Sequence, residues 1–261
     1  MKQRVVTAIT AMIIFLPLLY IGGIPFIILV YAMATIGLYE LLKMRHYPFF
    51  SGQGIMSMIL LWIILLPGTW FESGHGADIK IKAVILGVLL FLAYTVLSKN
   101  KFNFDDAGFI MLSVLYVGIG FHFLIETREA GLTYLLFILF VVWGTDSGAY
   151  FVGKSLGKRK LWPEISPNKT IGGSIGGIFI ALLIALLFFS FTTLDIPLLQ
   201  LLGVTIILSV FGQLGDLAQS AFKRHYGVKD SGNIMPGHGG ILDRCDSWLF
   251  VLPLVHLLQI I

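Results

Sequence analysis

The stretch FGQLGDLAQSAFKRHYGVKDSGNIMPGHGGILDRCDSWLF, residues 211–250, decides both the fold class and the chemistry of this chain. Apolar residues open and close it, and between them stand Asp216, Ser220, Lys223, Arg224, Lys229, Asp230, His238, Asp243, Arg244 and Asp246. A charge at the centre of a bilayer costs about 3 kcal/mol on insertion scales, so ionisable residues within hydrocarbon-length segments mark a pathway or a site. A solvated connection accounts for residues 229–233 but not for Asp216, Asp243 and Asp246, which fall inside the apolar segments themselves. On a helix Asp216, Ser220 and Lys223 stand at i, i+4 and i+7 on one face, with Gln213 a turn earlier. Asp243 and Asp246, at i and i+3, share a face at the start of the next segment.

Between the two faces lies PGHGG, residues 236–240, whose lack of side-chain bulk lets a ligand come close to the backbone. Such a loop leading into a helix N-terminus offers free N–H groups suited to phosphate. Hard carboxylate oxygens with no cysteine pair or histidine pair nearby point to Mg²⁺ rather than zinc. Lysine and arginine on the same rim would face anionic oxygens.

Composition agrees with a membrane setting. Apolar residues make up 57% and charged residues 12%, where a soluble domain carries about 25% charged. The chain is therefore expected to be all-α, a polytopic membrane protein with about nine transmembrane helices. Apolar runs lie near residues 5–21, 24–41, 54–70, 81–97, 107–125, 132–152, 171–191, 197–222 and 241–260. Each can cross a core of about 30 Å, the third and fourth near the lower limit. The single cysteine, Cys245, excludes an internal disulfide. A formal charge of +4 is spread over connecting loops, so nucleic acid is not the expected partner.

All 18 Lys and Arg except Lys80, Lys82 and Arg128 fall in one alternate set of loops, which places the N-terminus in the cytoplasm and, after nine spans, the C-terminus outside. Lys43, Arg45, Lys99 and Lys101 are explained by that bias alone. The chain is expected to divide at residue 131. Residues 1–131, spans one to five, read as scaffold or dimer surface, with Glu40 at a water-reaching helix end and His75, His122 and His256 isolated. Residues 132–261, spans six to nine with loops 153–170 and 223–240, carry the chemistry.

A second polar stretch, WGTDSGAYFVGKSLGKRKLWPEISPNKTIGG, residues 143–173, lies in that region. Asp146 sits within span six near its cytoplasmic end, followed by the basic residues Lys154, Lys158, Arg159 and Lys160 and by SPNKT at 166–170. Gly144, Gly148 and Gly153 suit close helix packing. GKSLGK at 153–158 is superficially like a phosphate-binding loop, but it follows a membrane helix instead of a strand.

Residues 220–246, SAFKRHYGVKDSGNIMPGHGGILDRCD, resemble the signature of the phosphatidate cytidylyltransferase, or CDP-diacylglycerol synthase, family. SPNKT resembles that family's loop too, although Asn168 stands where lysine is usual and Gly172 where glutamate is common, so Gly172 stays outside the expected site. The resemblance implies transfer of a cytidylyl group from CTP to phosphatidic acid at the cytoplasmic face of the cell membrane, with release of pyrophosphate. It implies Asp216 and Asp243 as leading ligands for Mg²⁺, alone or with a second cation, and Asp146 and Asp246 as further ligands. Lys223 joins these aspartates in the catalytic set. Lys169, Ser220, Arg224, Lys229, His238, Gly239, Gly240 and Arg244 complete the substrate-binding set, and a homodimer is expected. The competing readings are a secondary transporter of an anionic or metal substrate and another lipid-phosphate transferase. The transporter requires ionisable groups near the midplane, and the DGxxAR motif of the CDP-alcohol phosphotransferases is absent.

Overall fold

A computed structural model describes residues 2–71 and 75–260; the side chains of Lys2 and Arg4, two of the residues that orient the chain above, lie outside what is described. Its contacts divide the chain into two compact units. The first holds residues 1–126 and 230–243, the second 127–229 and 244–261. The chain passes from the first unit to the second at residue 127, and the loop after residue 229 belongs with the N-terminal helices.

The first unit contains α1 (Lys2–Ile21), α2 (Gly23–Met44), α3 (Gly52–Ile64), α4 (His75–Leu97) and most of α5 (Phe104–Ala130). Val30, Ala34, Leu38 and Leu42 recur every fourth residue along α2 and are fully buried, so one stripe of that helix is core. α4 is the opposite case. Ile81, Ile85 and Leu89 are exposed, and only Gly76, Gly87 and Phe91 of that helix are buried, the distribution of a helix that faces lipid. Arg45, expected to serve orientation alone, is also structural. It holds Asp106 at 2.6 Å and lies over the Phe109 ring, while Asp106 caps the start of α5 by accepting from Asn103 N. His122 is not isolated either, since Lys80 Nζ lies 2.9 Å from its Nε2.

The second unit contains α6 (Leu132–Leu156), a ribbon of β1 (Lys160–Trp162) and β2 (Ser166–Thr170), α7 (Ile171–Phe191), α8 (Leu198–His225) and most of α9 (Leu242–Leu257). α6 and α7 pack through small residues, as the glycine spacing anticipates. A Cβ on Gly177 would sit 2.6 Å from the Thr145 carbonyl oxygen, so the backbones approach too closely for any side chain there. Thr145 Oγ1 donates to Ser209 Oγ at 2.9 Å and ties α6 to α8, and His256 of α9 lies 2.9 Å from Thr127 Oγ1.

Among the described residues six helices, α2 and α4 to α8, are long and apolar enough to cross a membrane; nine were expected. α3 has 13 residues instead of the 17 of its apolar run, because Pro67 and Gly68 end it before Trp70. At 1.5 Å per residue it reaches about 20 Å, short of a bilayer core of about 30 Å. α9 has 16 residues, since the loop before it holds Ile241 outside the helix and the helix ends in a turn after Leu257. The expected loop 153–170 is also partly ordered secondary structure: α6 runs on to Leu156 and the antiparallel ribbon pairs Lys160 with Thr170 and Trp162 with Ser166. The fold is therefore nearly, not wholly, all-α.

The ribbon ends by launching α7. Thr170 Oγ1 accepts from Gly173 N at 3.1 Å, a side-chain N-cap. Thr170→Ala should lower stability by about 1 kcal/mol, measured as a reduced melting temperature in detergent, whereas Thr170→Ser should keep most of it.

Candidate active site

Within the second unit, aspartates from three helices gather. The charges of Asp216, Lys169 and Arg244 act on Asp146, and those of Asp216, Asp146 and Lys223 act on Asp246. α8 and α9 come together beside Asp216, because a Cβ on its neighbour Gly215 would lie 2.8 Å from the Asp246 carbonyl oxygen. Three segments distant in sequence thus bring carboxylates to one place.

Lys169 provides the principal counter-charge: its Nζ lies 2.5 Å from Asp216 Oδ2, with both side chains about a quarter to a third exposed. Its position follows from local structure. It stands in β2 one residue before the α7 N-cap, and Ile171 N donates to Arg159 O across the ribbon base, so strand and helix together fix where the lysine stem leaves the backbone. Ser220, one turn after Asp216, points its Oγ at Asp216 Oδ1 from 3.4 Å, as the i, i+4 spacing requires. Arg224 is exposed and reaches towards the ribbon, its Nε donating to Ile165 O at 3.4 Å. Lys229 is exposed in the turn after α8.

Asp243, Gly239, Gly240 and His238 belong to the first unit, where they form a different structure. Asp243 Oδ2 accepts from Ser231 N (2.8 Å), Ser231 Oγ (3.0 Å) and Gly240 N (2.9 Å). The last bond reaches back three residues to the start of α9, as the acidic residue of a capping box does. The loop itself closes on a tight turn in which Met235 N donates to Gly239 O and His238 N to Met235 O. Gly239 takes φ +84, and a Cβ there would strike the Asp243 carboxylate. Thr7 of α1 donates to Pro236 O at 3.0 Å.

Sequence reasoning missed Glu40. Placed above at a helix end in reach of water, it is 1% exposed. Its Oε1 accepts from Ile241 N at 2.8 Å, and its Oε2 accepts from Leu242 N at 3.0 Å and from Ser231 Oγ at 2.8 Å. A signal was present, since Glu40 is the sole acidic residue among the first 70 and lies within an apolar run. Its bonds also correct the expectation of a backbone phosphate cradle. The N–H groups of Gly240, Ile241 and Leu242, which a phosphate would use at a helix N-terminus, are already taken by two protein carboxylates.

Among the described residues no three His, Cys, Asp or Glu side chains form a ready-made metal cage. Mg²⁺ does not need one when it travels with a nucleotide, because one or two carboxylates, substrate phosphates and waters complete its octahedron. Asp146, Asp216 and Asp246 fit that mode by donor chemistry, with Asp216 also committed to Lys169. Asp243, expected as a leading ligand, has its Oδ2 occupied by the three donors of the loop.

Comparison with known proteins places the whole chain in one family. The cytidylyltransferase family matches residues 2–261. The phosphatidate cytidylyltransferase of Bacillus subtilis (strain 168) is 55% identical over 262 residues, covering 99% of this chain and 97% of that protein. Those of Staphylococcus saprophyticus and Staphylococcus aureus (strain COL) are 52% and 53% identical, each over 263 residues covering 100% of this chain and 99% of the relative. With carboxylates and a paired lysine gathered by membrane helices, and with likeness extending along nearly its whole length, this chain belongs to the cytidylyltransferase family.

Proposed function

We propose that this chain transfers a cytidylyl group from CTP to phosphatidic acid, forming CDP-diacylglycerol and pyrophosphate. The observation that carries this reading is the Lys169–Asp216 pair within the Asp146, Asp216 and Asp246 cluster, in a chain whose relatives are phosphatidate cytidylyltransferases. An oxygen of the lipid phosphate attacks the α-phosphorus of CTP; a new P–O bond forms as the bond to the β-phosphate oxygen breaks. The attacking phosphate monoester has a second pKa of about 6, so it arrives ionised and no dedicated base is needed. Both reactants are anions. The protein's work is to hold them in line and offset charge.

Lys169, Lys223 and Arg244 lie within the electrostatic cluster and are assigned to triphosphate and lipid phosphate, with Arg224 at the rim and Ser220 steadying Asp216. Asp216 with Asp146 or Asp246 would hold Mg²⁺, which when bound neutralises triphosphate charge. The basic-loop bias supports a cytoplasmic N-terminus and a site open to the cytosol in the cell membrane. A homodimer through the helices of residues 1–131 completes the reading.

Purified protein in detergent, given phosphatidic acid, CTP and Mg²⁺, should release pyrophosphate and CDP-diacylglycerol in equal amounts. Folded protein that is silent in this assay, or that moves an anion across proteoliposomes without consuming CTP, would overturn the assignment.

A further inference from the structure

We propose that Glu40 is a positioning residue for the reaction: through Ser231 and the first N–H groups of α9 it fixes the loop 231–242 and the start of the helix that carries Arg244 and Asp246. This rests on the cytidylyl-transfer reading. The geometry is unusual for a residue in the helices assigned to scaffold. A helix N-terminus leaves several N–H groups without partners inside the helix and favours a negative charge beside them. Here that charge comes from α2, about two hundred residues away in sequence, with bonds from Ile241 N and Leu242 N on separate oxygens. The same carboxylate takes the Ser231 hydroxyl, which also lies 3.0 Å from Asp243 Oδ2.

Ser231 Oγ owns a single proton, so it cannot donate fully to both carboxylates at once. Glu40 and Asp243 are therefore coupled through one hydroxyl, and a shift of either moves the other. The surroundings allow little play. Gly240 is buried, and a Cβ on it would strike both Ser231 Oγ and the Glu40 carboxylate, while a Cβ on Gly232 would also meet Glu40. A methionine or glutamine side chain of similar length could fill the volume but could not accept from two backbone N–H groups and a hydroxyl together.

The test is kinetic, made below the melting temperature of each variant. Glu40→Gln should lower kcat by about tenfold to a hundredfold, as a misplaced group does, with KM for CTP little changed. Ser231→Ala, which perturbs the loop less, should lower kcat by roughly threefold. The double variant should be no slower than Glu40→Gln alone, because both changes break the same linkage. Glu40→Gln within about twofold of wild type, losses that multiply in the double variant, or losses that only track the folded fraction would each overturn the positioning role. If Glu40→Gln is not recovered folded, Ser231→Ala decides, and an unchanged kcat in it overturns the role. Wild-type protein without cytidylyl transfer would instead sink the function on which the inference rests.

Discussion

Asp216→Asn should reduce kcat/KM at least about a hundredfold while leaving the protein folded, a loss of roughly 3 kcal/mol of transition-state stabilisation. The asparagine keeps the shape of the side chain and its place one turn before Ser220, but it removes the charge that orders Lys169 at 2.5 Å. Lys169 would then lose its fixed direction, and Asp146 and Asp246 would lose the neighbour whose charge sets their surroundings. Stability should respond much less than rate. The pair is partly open to water, and ion pairs of that kind contribute at most about 1 kcal/mol to folding. The measurements are steady-state CDP-diacylglycerol formation and a thermal melt on the same preparation. Near-normal turnover would remove Asp216 from the site; a collapsed melting temperature would make it a folding residue. Lys169→Met should lower kcat/KM in the same direction, and the double variant should fall less than the product of the two, since each change already breaks the pair.

The second large effect is expected on stability. Gly239→Ala places a methyl group against the Asp243 carboxylate in a residue held at φ +84. The left-handed conformation costs an alanine about 1–2 kcal/mol, and the steric conflict adds about 1–3 kcal/mol. The sum corresponds to a fall in melting temperature of roughly 5–15 °C for a chain of this size. Activity should fall with it, because the same carboxylate organises the start of α9. Gly227→Ala is the control. That residue also has positive φ, at +66, but nothing lies within 4 Å of its added methyl, so only the backbone cost applies. Equal losses at the two positions would mean that the Asp243 contact has no weight.

Much of the fold was legible because a bilayer imposes one rule on every segment: apolar residues continue until the helix has crossed. Long runs such as 132–152 and 197–222 became α6 and α8 with small shifts at their ends. The third run gives a helix of only 13 residues because Pro67 ends a helix that hydropathy alone would continue. The ribbon 160–162 and 166–170 was missed because its short strands are rich in polar residues and pair only with each other. Its value lies in placing Lys169, a consequence that residue spacing cannot express.

Charge embedded among apolar residues singled out Asp146, Asp216, Asp243 and Asp246 as candidates, because burying such groups is costly unless they serve a site. Sequence by itself therefore determined the membrane class and the pairing of Ser220 with Asp216, which follows from helical pitch alone. Only the tertiary structure decided that Lys169 answers Asp216, that the N–H groups at the start of α9 are already spent, and that Glu40 joins the loop across two hundred residues of chain. Those outcomes depend on which donors meet which acceptors, and a hydrogen bond has force only at about 3 Å, a distance that one-dimensional order does not contain.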